Sequence, residues 1–228
     1  MKILNCYLEY IIESIINRDL QHYIQTKIIP KYKKFDPGHG MSHALAVINF
    51  SLKLQNLIKD ADRDIIYTVA AYHDIGLNTG RKNHHIESGK IVRNDKNLRK
   101  WFNENEIEII AQACEDHRAS SKNPPRSIYG KIVSDADRSD SAELENLIKR
   151  VWLYRVNNPD FKNLSDKEMF DDMYEHMVDK YGEGGYAKFI LPETKRILGK
   201  SINRTKRILK SKDETYKIFL KLRKSGKI

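Results

Sequence analysis

The sequence of 228 residues is poor in cysteine, glycine and proline, with 2 Cys, 11 Gly and 6 Pro. Cys6 and Cys114 lie far apart and match no zinc-ligand spacing, which argues against a disulfide framework and favours a reducing compartment. The small numbers of Gly and Pro argue against a collagen-like, disordered or turn-rich chain. We therefore expect a compact protein of the cytoplasm.

The sequence also lacks any apolar run of the ~20 residues that a bilayer-spanning helix requires, so we expect no membrane partner. Its first residues, MKILNCYLEYIIESIINRDL, carry Glu9 and Glu13 and have no small-residue cleavage site, which indicates an amphipathic helix rather than a signal peptide. Neither GxxxxGK[ST] nor GxGxxG occurs. Any bound phosphate must therefore be held without a glycine-rich loop.

Helical periodicity accounts for most of the chain, and no alternation typical of a β-strand appears. Breaks such as DPGHG at 36–40, SSKNPPRS at 120–127 and GEGG at 182–185 separate the patterns. We predict an all-α fold with helices at residues 3–17, 19–33, 42–59, 62–75, 84–94, 104–118, 127–137, 141–156, 166–180, 192–211 and 213–224.

Positive charge is concentrated at the C-terminal end. Residues 181–228 hold 14 Lys and Arg against 4 Asp and Glu, whereas residues 1–180 hold 27 of each sign. We predict a domain with its N-terminal helix at 1–185 and a basic helical extension at 186–228. Amphipathic helices with a solvated basic face are the favoured interpretation, and a nucleic-acid-binding arm, a lid or a dimer contact are the alternatives. The expected buried side chains are Ile197, Leu198, Ile202, Ile208, Leu209, Ile218, Phe219 and Leu220.

Six of the eight histidines lie between residues 39 and 117, and several stand where a helix begins or ends. In YTVAAYHDIG, an apolar helical pattern ends in the adjacent pair His73 and Asp74. Helix ends that meet at one point can bring such side chains together while the apolar stripes stay packed. Imidazole and carboxylate groups suit Zn, Mn, Fe, Co or Ni, so the pattern favours a divalent metal site without a thiolate.

Three motifs occur in a characteristic order. DPGHGMSHALAV supplies a histidine, AAYHDIG a His-Asp pair and IVSDADRSD a distal aspartate. This order resembles the H, HD and D signature of the HD-domain phosphohydrolase superfamily. The segments HHIESGKIV, IEIIAQACEDH and YGKIVSDADRSD are similar to the helices between these motifs in small bacterial members. The resemblance covers about residues 36–150 and implies an HD-domain helical bundle.

The resemblance also implies a metal ion bound by His43, His73, Asp74 and Asp137. Asp137 is preferred to Asp135 because the family's aspartate directly precedes an Arg or Lys. The alternative for this quartet is a set of unrelated helix caps and a salt-bridged turn.

Further histidines are implied at the site. His84 and His117 fall where the family's binuclear branches bind a second metal, or where they bind substrate. The competing choice for His84 is its neighbour His85, and the alternative for His117 is an interaction with the helix dipole. His39 is expected either to reach a substrate phosphate or to stabilise the turn between its flanking glycines.

The resemblance suggests a mechanism in which Asp74 binds the ion with one oxygen and orients or deprotonates the attacking water with the other. Cations must then hold the phosphate. Lys131 and Arg138, on either side of the metal-binding aspartate motif, are the first candidates for catalytic and substrate-binding cations. Arg81 and Lys82 are the next candidates.

We predict a metal-dependent phosphohydrolase acting on a small nucleotide, because YGKIVSDADRSD is closest to small bacterial HD proteins thought to act on nucleotides. One departure is SDSAELENLIKR, which is bulkier and more charged than the corresponding Gly-Ala-rich helix of those relatives and could reshape the pocket. The alternatives are an HD phosphodiesterase or nuclease acting on RNA or DNA, a di-iron oxygenase, and a nucleotide-sensing module. One ion is expected, with Mn among the candidates and a second ion as the alternative.

Overall fold

The computed structural model describes residues 16–58 and 60–228. Within these ranges the regular secondary structure consists of α-, 3-10 and π-helices without a β-strand, which confirms the all-α fold. The predicted helix at 3–17 falls outside the described residues except at its last two positions. The α-helices are α1 (Arg18–Tyr23), α2 (Met41–Gln55), α3 (Arg63–Tyr72), α4 (His84–Asn94), α5 (Glu104–Asp116), α6 (Ile128–Arg138), α7 (Leu144–Val156), α8 (Asp166–Tyr181), α9 (Pro192–Ile208) and α10 (Lys212–Lys224).

The predicted helix at 19–33 is not a single α-helix. After α1 the chain continues as a π-helix at Ile24–Ile28 and a 3-10 helix at Ile29–Lys34. Pro30 lies at the start of the 3-10 helix and has no N–H to donate, so the α-helical hydrogen-bond pattern is interrupted there. Further 3-10 helices lie at Ile75–Thr79, Lys96–Lys100, Ser139–Ala142 and Pro159–Phe161.

Side-chain caps explain where several helices begin. The Asp62 carboxylate accepts the Ile65 N–H at the start of α3, and the Ser127 hydroxyl accepts the Gly130 N–H at the start of α6. Helices α5 and α8 each begin with a capping box, in which the cap side chain and the Glu three residues later satisfy each other's backbone N–H. These caps set the start of each helix.

The first hydrophobic core is formed around α3. Every residue of α3 from Ile65 to Tyr72 is buried, which is typical of a helix surrounded by other helices. It packs between α2, α5 and α6, whose buried residues include Val47, Ile110 and Val133. The end of α3 therefore lies inside the protein.

A second hydrophobic core joins α7 and α8 to the basic helices α9 and α10. Trp152, Phe170 and Phe219 lie at its centre, with the rings of Trp152 and Phe219 4.8 Å apart. This core contains residues on both sides of position 185, and the predicted boundary there stays a prediction. Ile208, Leu209 and Phe219 are buried as expected, whereas Leu220 is exposed because it lies on the solvent side of α10.

A buried carboxylate connects the two cores. Asp135 of α6 accepts the backbone N–H groups of Ile190 and Leu191, each at 2.8 Å, and Leu191 packs into the first core. These bonds attach the segment before α9 to α6. Among the described residues, no helix has the length and apolar character needed to cross a bilayer.

Candidate metal centre and substrate cavity

The ends of three helices place the four predicted metal ligands at one point. His43 lies in the first turn of α2, His73 caps the end of α3 with Asp74 directly after it, and Asp137 lies in the last turn of α6. One ligand atom from each residue lies within 4.8 Å of the others, and His43, His73 and Asp74 are buried. The structure thus brings all four together.

The four ligand atoms are close enough to share one ion. His43 Nε2 lies 3.3 Å from His73 Nε2 and 3.1 Å from Asp137 Oδ1. Asp74 Oδ2 lies 3.3 Å from His73 Nε2 and 3.6 Å from His43 Nε2. We refer to these four residues as the first ligand group.

A second ligand group shares the same aspartate. Asp74 Oδ1 lies 3.3 Å from both His84 Nε2 and His117 Nε2, and these two nitrogens are 3.1 Å apart. His84 opens α4 and His117 caps α5. The competing residue His85 is not part of this group. The two oxygens of Asp74 therefore point to two different sets of histidines.

Backbone hydrogen bonds fix the tautomer of three of these histidines. His73, His84 and His117 each donate Nδ1–H to the carbonyl oxygen three residues earlier, over 2.8, 2.7 and 2.6 Å. A carbonyl oxygen can only accept, so in the neutral ring Nε2 carries the lone pair. The Nε2 lone pairs of His84 and His117 face each other, an arrangement that a bound cation would stabilise.

The donor set fits a divalent metal ion. Asp74 Oδ2 is a buried oxygen without a hydrogen-bond donor, as expected of a metal ligand. Burial acts to raise the pKa of Asp74, but the neighbouring His73, His117 and His43 hold it well below its usual range. Burial and the proximity of His117 lower the pKa of His84 to about 4. At neutral pH Asp74 is therefore a carboxylate and His84 a neutral imidazole, and nitrogen and oxygen ligands of this kind suit transition metals.

Residues next to the ligands hold them in position. The buried Tyr32 hydroxyl donates to the Ala71 carbonyl oxygen at 3.0 Å and accepts the Asp74 N–H at 3.4 Å, which fixes the end of α3. A side chain at Gly76 would overlap the backbone of His84 and Ser88, so glycine there lets α4 approach the turn after Asp74. The Ser88 hydroxyl accepts the Gly76 N–H at 2.9 Å.

The two cations first expected to bind substrate lie elsewhere. Arg138 is buried and donates to the carbonyl oxygens of Ser134 at 2.7 Å and His117 at 3.3 Å, so its guanidinium lies behind His117. Lys131 lies in the first turn of α6, more than a turn from Asp137, and lines none of the described cavities at the ligands. The catalytic and substrate-binding roles of Arg138 and Lys131 stay predictions, and the positions of these two side chains do not support them.

Four other cations surround the opening to the ligands. A cavity of about 200 Å³ contains Asp74, His84, His117 and Asp137 in its wall. The cations in the same wall are Arg81, Arg118, Arg150 and Lys180. Only Arg81 was among the sequence candidates. Arg118, Arg150 and Lys180 were missed because they lie outside the motifs, and Arg150 and Lys180 belong to helices of the second core.

His39 connects two of these arginines. Its Nδ1 lies 3.0 Å from both carboxylate oxygens of Asp36, so Nδ1 carries the proton. Its Nε2 then accepts from Arg81 at 3.2 Å and from Arg150 at 3.3 Å. Burial, together with Arg150 and Arg81, lowers the pKa of His39 despite the opposing effect of Asp36. A neutral His39 thus holds two cations side by side at the cavity.

Arg150 also contacts the first ligand group. One guanidinium nitrogen lies 3.8 Å from Asp137 Oδ1 and another donates to the Asp137 carbonyl oxygen at 3.4 Å. Burial acts to raise the pKa of Asp137, but His43 and Arg150 hold it well below its usual range. Burial acts to lower the pKa of Arg150, but Asp137 raises it above the ordinary value. Both groups are therefore charged at neutral pH.

Comparison with known proteins agrees with the motifs. Residues 40–142 match the family model of the HD domain, a range that contains both ligand groups. The crystal structure of a predicted HD superfamily hydrolase from an uncultured Thermotogales bacterium is similar, with 22% identity over 75% of this chain and 93% of that chain and a TM-score of 0.49. A search of curated proteins gives no significant match. The family match confirms the resemblance seen in the sequence.

Proposed function

Since the chain carries an HD domain at residues 40–142, we propose that the protein is a metal-dependent phosphohydrolase acting on a phosphate ester or anhydride of a small nucleotide. The HD domain and the His/Asp cluster support a metal-dependent hydrolase. The observation that carries the phosphate assignment is the cavity in which two ligand groups with a common Asp74 adjoin four cations. Opposite charges placed at one opening suit an anionic substrate whose reacting atom must approach a metal.

The first ligand group would hold the ion. A divalent ion there would lower the pKa of a bound water and stabilise charge on the phosphoryl oxygens. Asp74 has a carboxylate oxygen in each ligand group, so with one ion held through Oδ2 its Oδ1 can orient the attacking water or accept its proton. The backbone bonds to His73, His84 and His117 keep each Nε2 lone pair directed at the cluster.

The second ligand group favours a second ion over direct contact with the phosphate. His84 and His117 both approach Asp74 Oδ1, on the side of the carboxylate opposite to the first group. A substrate phosphate placed between two lone pairs and a carboxylate would be repelled, whereas a cation would be attracted. We therefore assign His84 and His117 to a second metal position.

The four cations take the role that a glycine-rich loop has in other phosphate-binding proteins. Arg81 and Arg150 are held together by His39, and guanidinium groups bind phosphate oxygens with two parallel hydrogen bonds. Arg118 and Lys180 lie in the same cavity wall. The assignment of a nucleotide rests on the resemblance of YGKIVSDADRSD to nucleotide-directed HD proteins.

The experiment is metal analysis combined with activity. Protein purified without chelator is analysed for metal per chain, and phosphate release is measured on a nucleotide panel with added Mn. We expect one to two ions per chain and metal-dependent hydrolysis. We expect Asp74→Asn to lose ion binding. Its kcat/KM should fall at least about a thousandfold, equivalent to about 4 kcal/mol of transition-state stabilisation.

Asp160→Asn is the matched control, because it removes an exposed carboxylate from a surface turn without touching the ligands. It should keep wild-type metal content and activity. Folded wild-type protein that binds no divalent ion and hydrolyses no nucleotide would overturn the proposed function. Two ions in the wild type and fewer in His84→Ala would establish the second metal position.

A further inference from the structure

A second cavity adjoins the one at the ligands and extends between α7 and α8. Its volume is about 520 Å³, within the usual range of about 300–1,000 Å³ for small-molecule sites. The two cavities share His39, Arg81, Arg150 and Lys180 in their walls. We call the second cavity the α7–α8 chamber. The shared residues form the boundary between the chamber and the metal-side cavity.

The chamber extends away from the metal ligands. On α8, Lys180 lies at the boundary, and the other lining residues His176 and Asp172 follow one and two turns back along the helix. With 1.5 Å per helical residue, the distance from Lys180 to Asp172 is about 12 Å. On α7, Tyr154 lies one turn beyond Arg150, and the Arg81 guanidinium at the boundary lies 4.5 Å from the centre of its ring. The cationic end of the chamber is thus at the ligands, and its other end lies well away from them.

Beyond the four shared residues, the chamber wall has aromatic rings and carboxylates. The rings of Tyr154 and Phe161 pack edge to face with centroids 6.2 Å apart. Asp172 is neutralised by an ion pair with Arg155.

Two carboxylates remain available in the chamber wall. In the described part of the chain, the carboxylates of Glu175 and Asp179 form no ion pair and accept no side-chain hydrogen bond. Carboxylates accept hydrogen bonds from hydroxyl or amino groups and repel further phosphates. The chamber is therefore chemically unlike the phosphate-binding end and suits an organic group that carries donors.

We propose that the α7–α8 chamber holds the organic group of the substrate and that Glu175 and Asp179 select hydroxyl or amino donors on it. The substrate is then a phosphate compound of a hydroxyl-bearing group such as a nucleoside, with its phosphate at Arg81 and Arg150. The inference rests on the proposed function. Because α7 and α8 lie beyond residues 40–142, this selectivity belongs to the second core and not to the segment matched by the HD family.

The test compares substrates that share a phosphate but differ in donors. Values of kcat and KM are measured for para-nitrophenyl phosphate, which has no hydroxyl donor on its ring, for ribose 5-phosphate, and for a panel of nucleotides. The variant is Glu175→Ala/Asp179→Ala, which alters two exposed positions of α8. Asp171→Ala is the control, because it removes a carboxylate from the same helix outside the chamber.

The quantity compared is kcat/KM for the best hydroxyl-bearing substrate divided by kcat/KM for para-nitrophenyl phosphate. We expect the double variant to lower this ratio by about tenfold, mainly by raising KM for the hydroxyl-bearing substrate. For ribose 5-phosphate and nucleoside monophosphates, which carry the same phosphate charge as para-nitrophenyl phosphate, the ratio cancels a general electrostatic effect on phosphate binding. The control should leave the ratio unchanged. A loss for both ribose 5-phosphate and nucleotides would assign the effect to sugar hydroxyls, and a loss for nucleotides alone would add the base; both support the proposal.

An unchanged ratio in the double variant, with para-nitrophenyl phosphate still hydrolysed, would overturn the proposed role of the chamber and leave the proposed function intact. Absence of metal-dependent hydrolysis of every ester would instead overturn the proposed function. Titration calorimetry of the four common ribonucleosides with the wild type and the double variant then tests the chamber separately. Binding to the wild type that weakens in the variant supports it, and absence of binding overturns it.

Discussion

The ligand groups and the α7–α8 chamber are constructed in contrasting ways. His73, His84 and His117 are positioned by hydrogen bonds to backbone carbonyls three residues earlier, and the neighbouring helix ends are buried. Arg81 and Arg150 are positioned by another side chain, His39, and their surroundings are partly exposed. Nearby backbone thus orients three imidazoles of the ligand groups, whereas a side chain from another segment orients the two arginines. We call these arginines and the chamber beside them the substrate side. Changes among these cations should therefore preserve metal binding, and this includes Arg150, because its removal takes a positive charge away from Asp137 and does not weaken the attraction of Asp137 for a metal ion.

The largest expected effect that tests this contrast is stabilisation by metal. Ion at about one hundred times its Kd should add about 2.7 kcal/mol to the free energy of unfolding, because a ligand that binds only the folded state shifts the equilibrium by mass action. For a chain of this size the melting temperature should rise by about 5–10 °C. Scanning fluorimetry of chelator-stripped protein with and without Mn measures this shift.

Variants on the two sides should respond differently to Mn. His43→Ala removes a ligand and should lose most of the shift, whereas Arg150→Met should retain it. An equal shift in His43→Ala and the wild type would mean that the ion binds elsewhere. Loss of the melting-temperature shift in Arg150→Met would show that metal binding depends on the substrate-side arginines.

The same contrast explains how much of the site could be predicted from the sequence. Each residue of the first ligand group lies in a short motif at a helix end, so the order of the motifs was sufficient to predict that His43, His73, Asp74 and Asp137 lie together. Arg150 lies in the middle of an amphipathic helix and has no motif. Its place depends on where α7 lies relative to the turn that contains His39, and single-sequence patterns do not determine that arrangement.

Proximity to a motif was a poor guide to the substrate cations. Adjacent residues of an α-helix point about 100° apart, since 3.6 residues make one turn. With Asp137 directed at His43, Arg138 is turned towards the carbonyl oxygens of Ser134 and His117 instead. The same geometry separates Asp135, which binds the N–H groups before α9, from the ligands. Helical periodicity applied to this motif could have separated these roles.

Periodicity was more informative for the fold. Predicted and observed limits agree within a few residues for most helices from α2 onwards, because the apolar stripes and breaks are regular. The segment 24–34 differs because Pro30 and a π-helical turn change the hydrogen-bond pattern without changing the hydrophobic pattern. The joining of α9 and α10 to α7 and α8 in one core could not be predicted from helix positions alone.

A smaller effect is expected for Arg150→Met, which removes the charge but keeps an apolar side chain of similar length. The variant should lower kcat/KM about thirtyfold, equivalent to about 2 kcal/mol, because a charge-assisted contact to phosphate is lost. Arg150→Lys should recover only part of the loss, since an ammonium group lacks the two parallel donors of a guanidinium. Steady-state kinetics with the best nucleotide provides the measurement.

Arg196→Met removes an exposed arginine from α9 and is the control for net charge. Its kcat/KM should remain within about twofold of wild type, as for most surface substitutions. A similar loss in Arg150→Met and Arg196→Met would indicate a general field effect rather than a phosphate contact at Arg150. Unchanged kcat/KM in Arg150→Met would contradict its role.

The smallest effect is expected at His39, because it acts only through the arginines it holds. His39→Leu should lower kcat/KM about tenfold, mainly through KM, since Arg81 and Arg150 lose their common acceptor at Nε2. His39→Gln should recover most of the loss, because the amide offers both a donor for Asp36 and an acceptor for the arginines. If His39 instead contacted the metal, both variants would lose ions and the Mn-induced shift together. Retained metal content with a raised KM in His39→Leu, and recovery in His39→Gln, would establish that a histidine within a metal-binding motif serves the substrate side of the site.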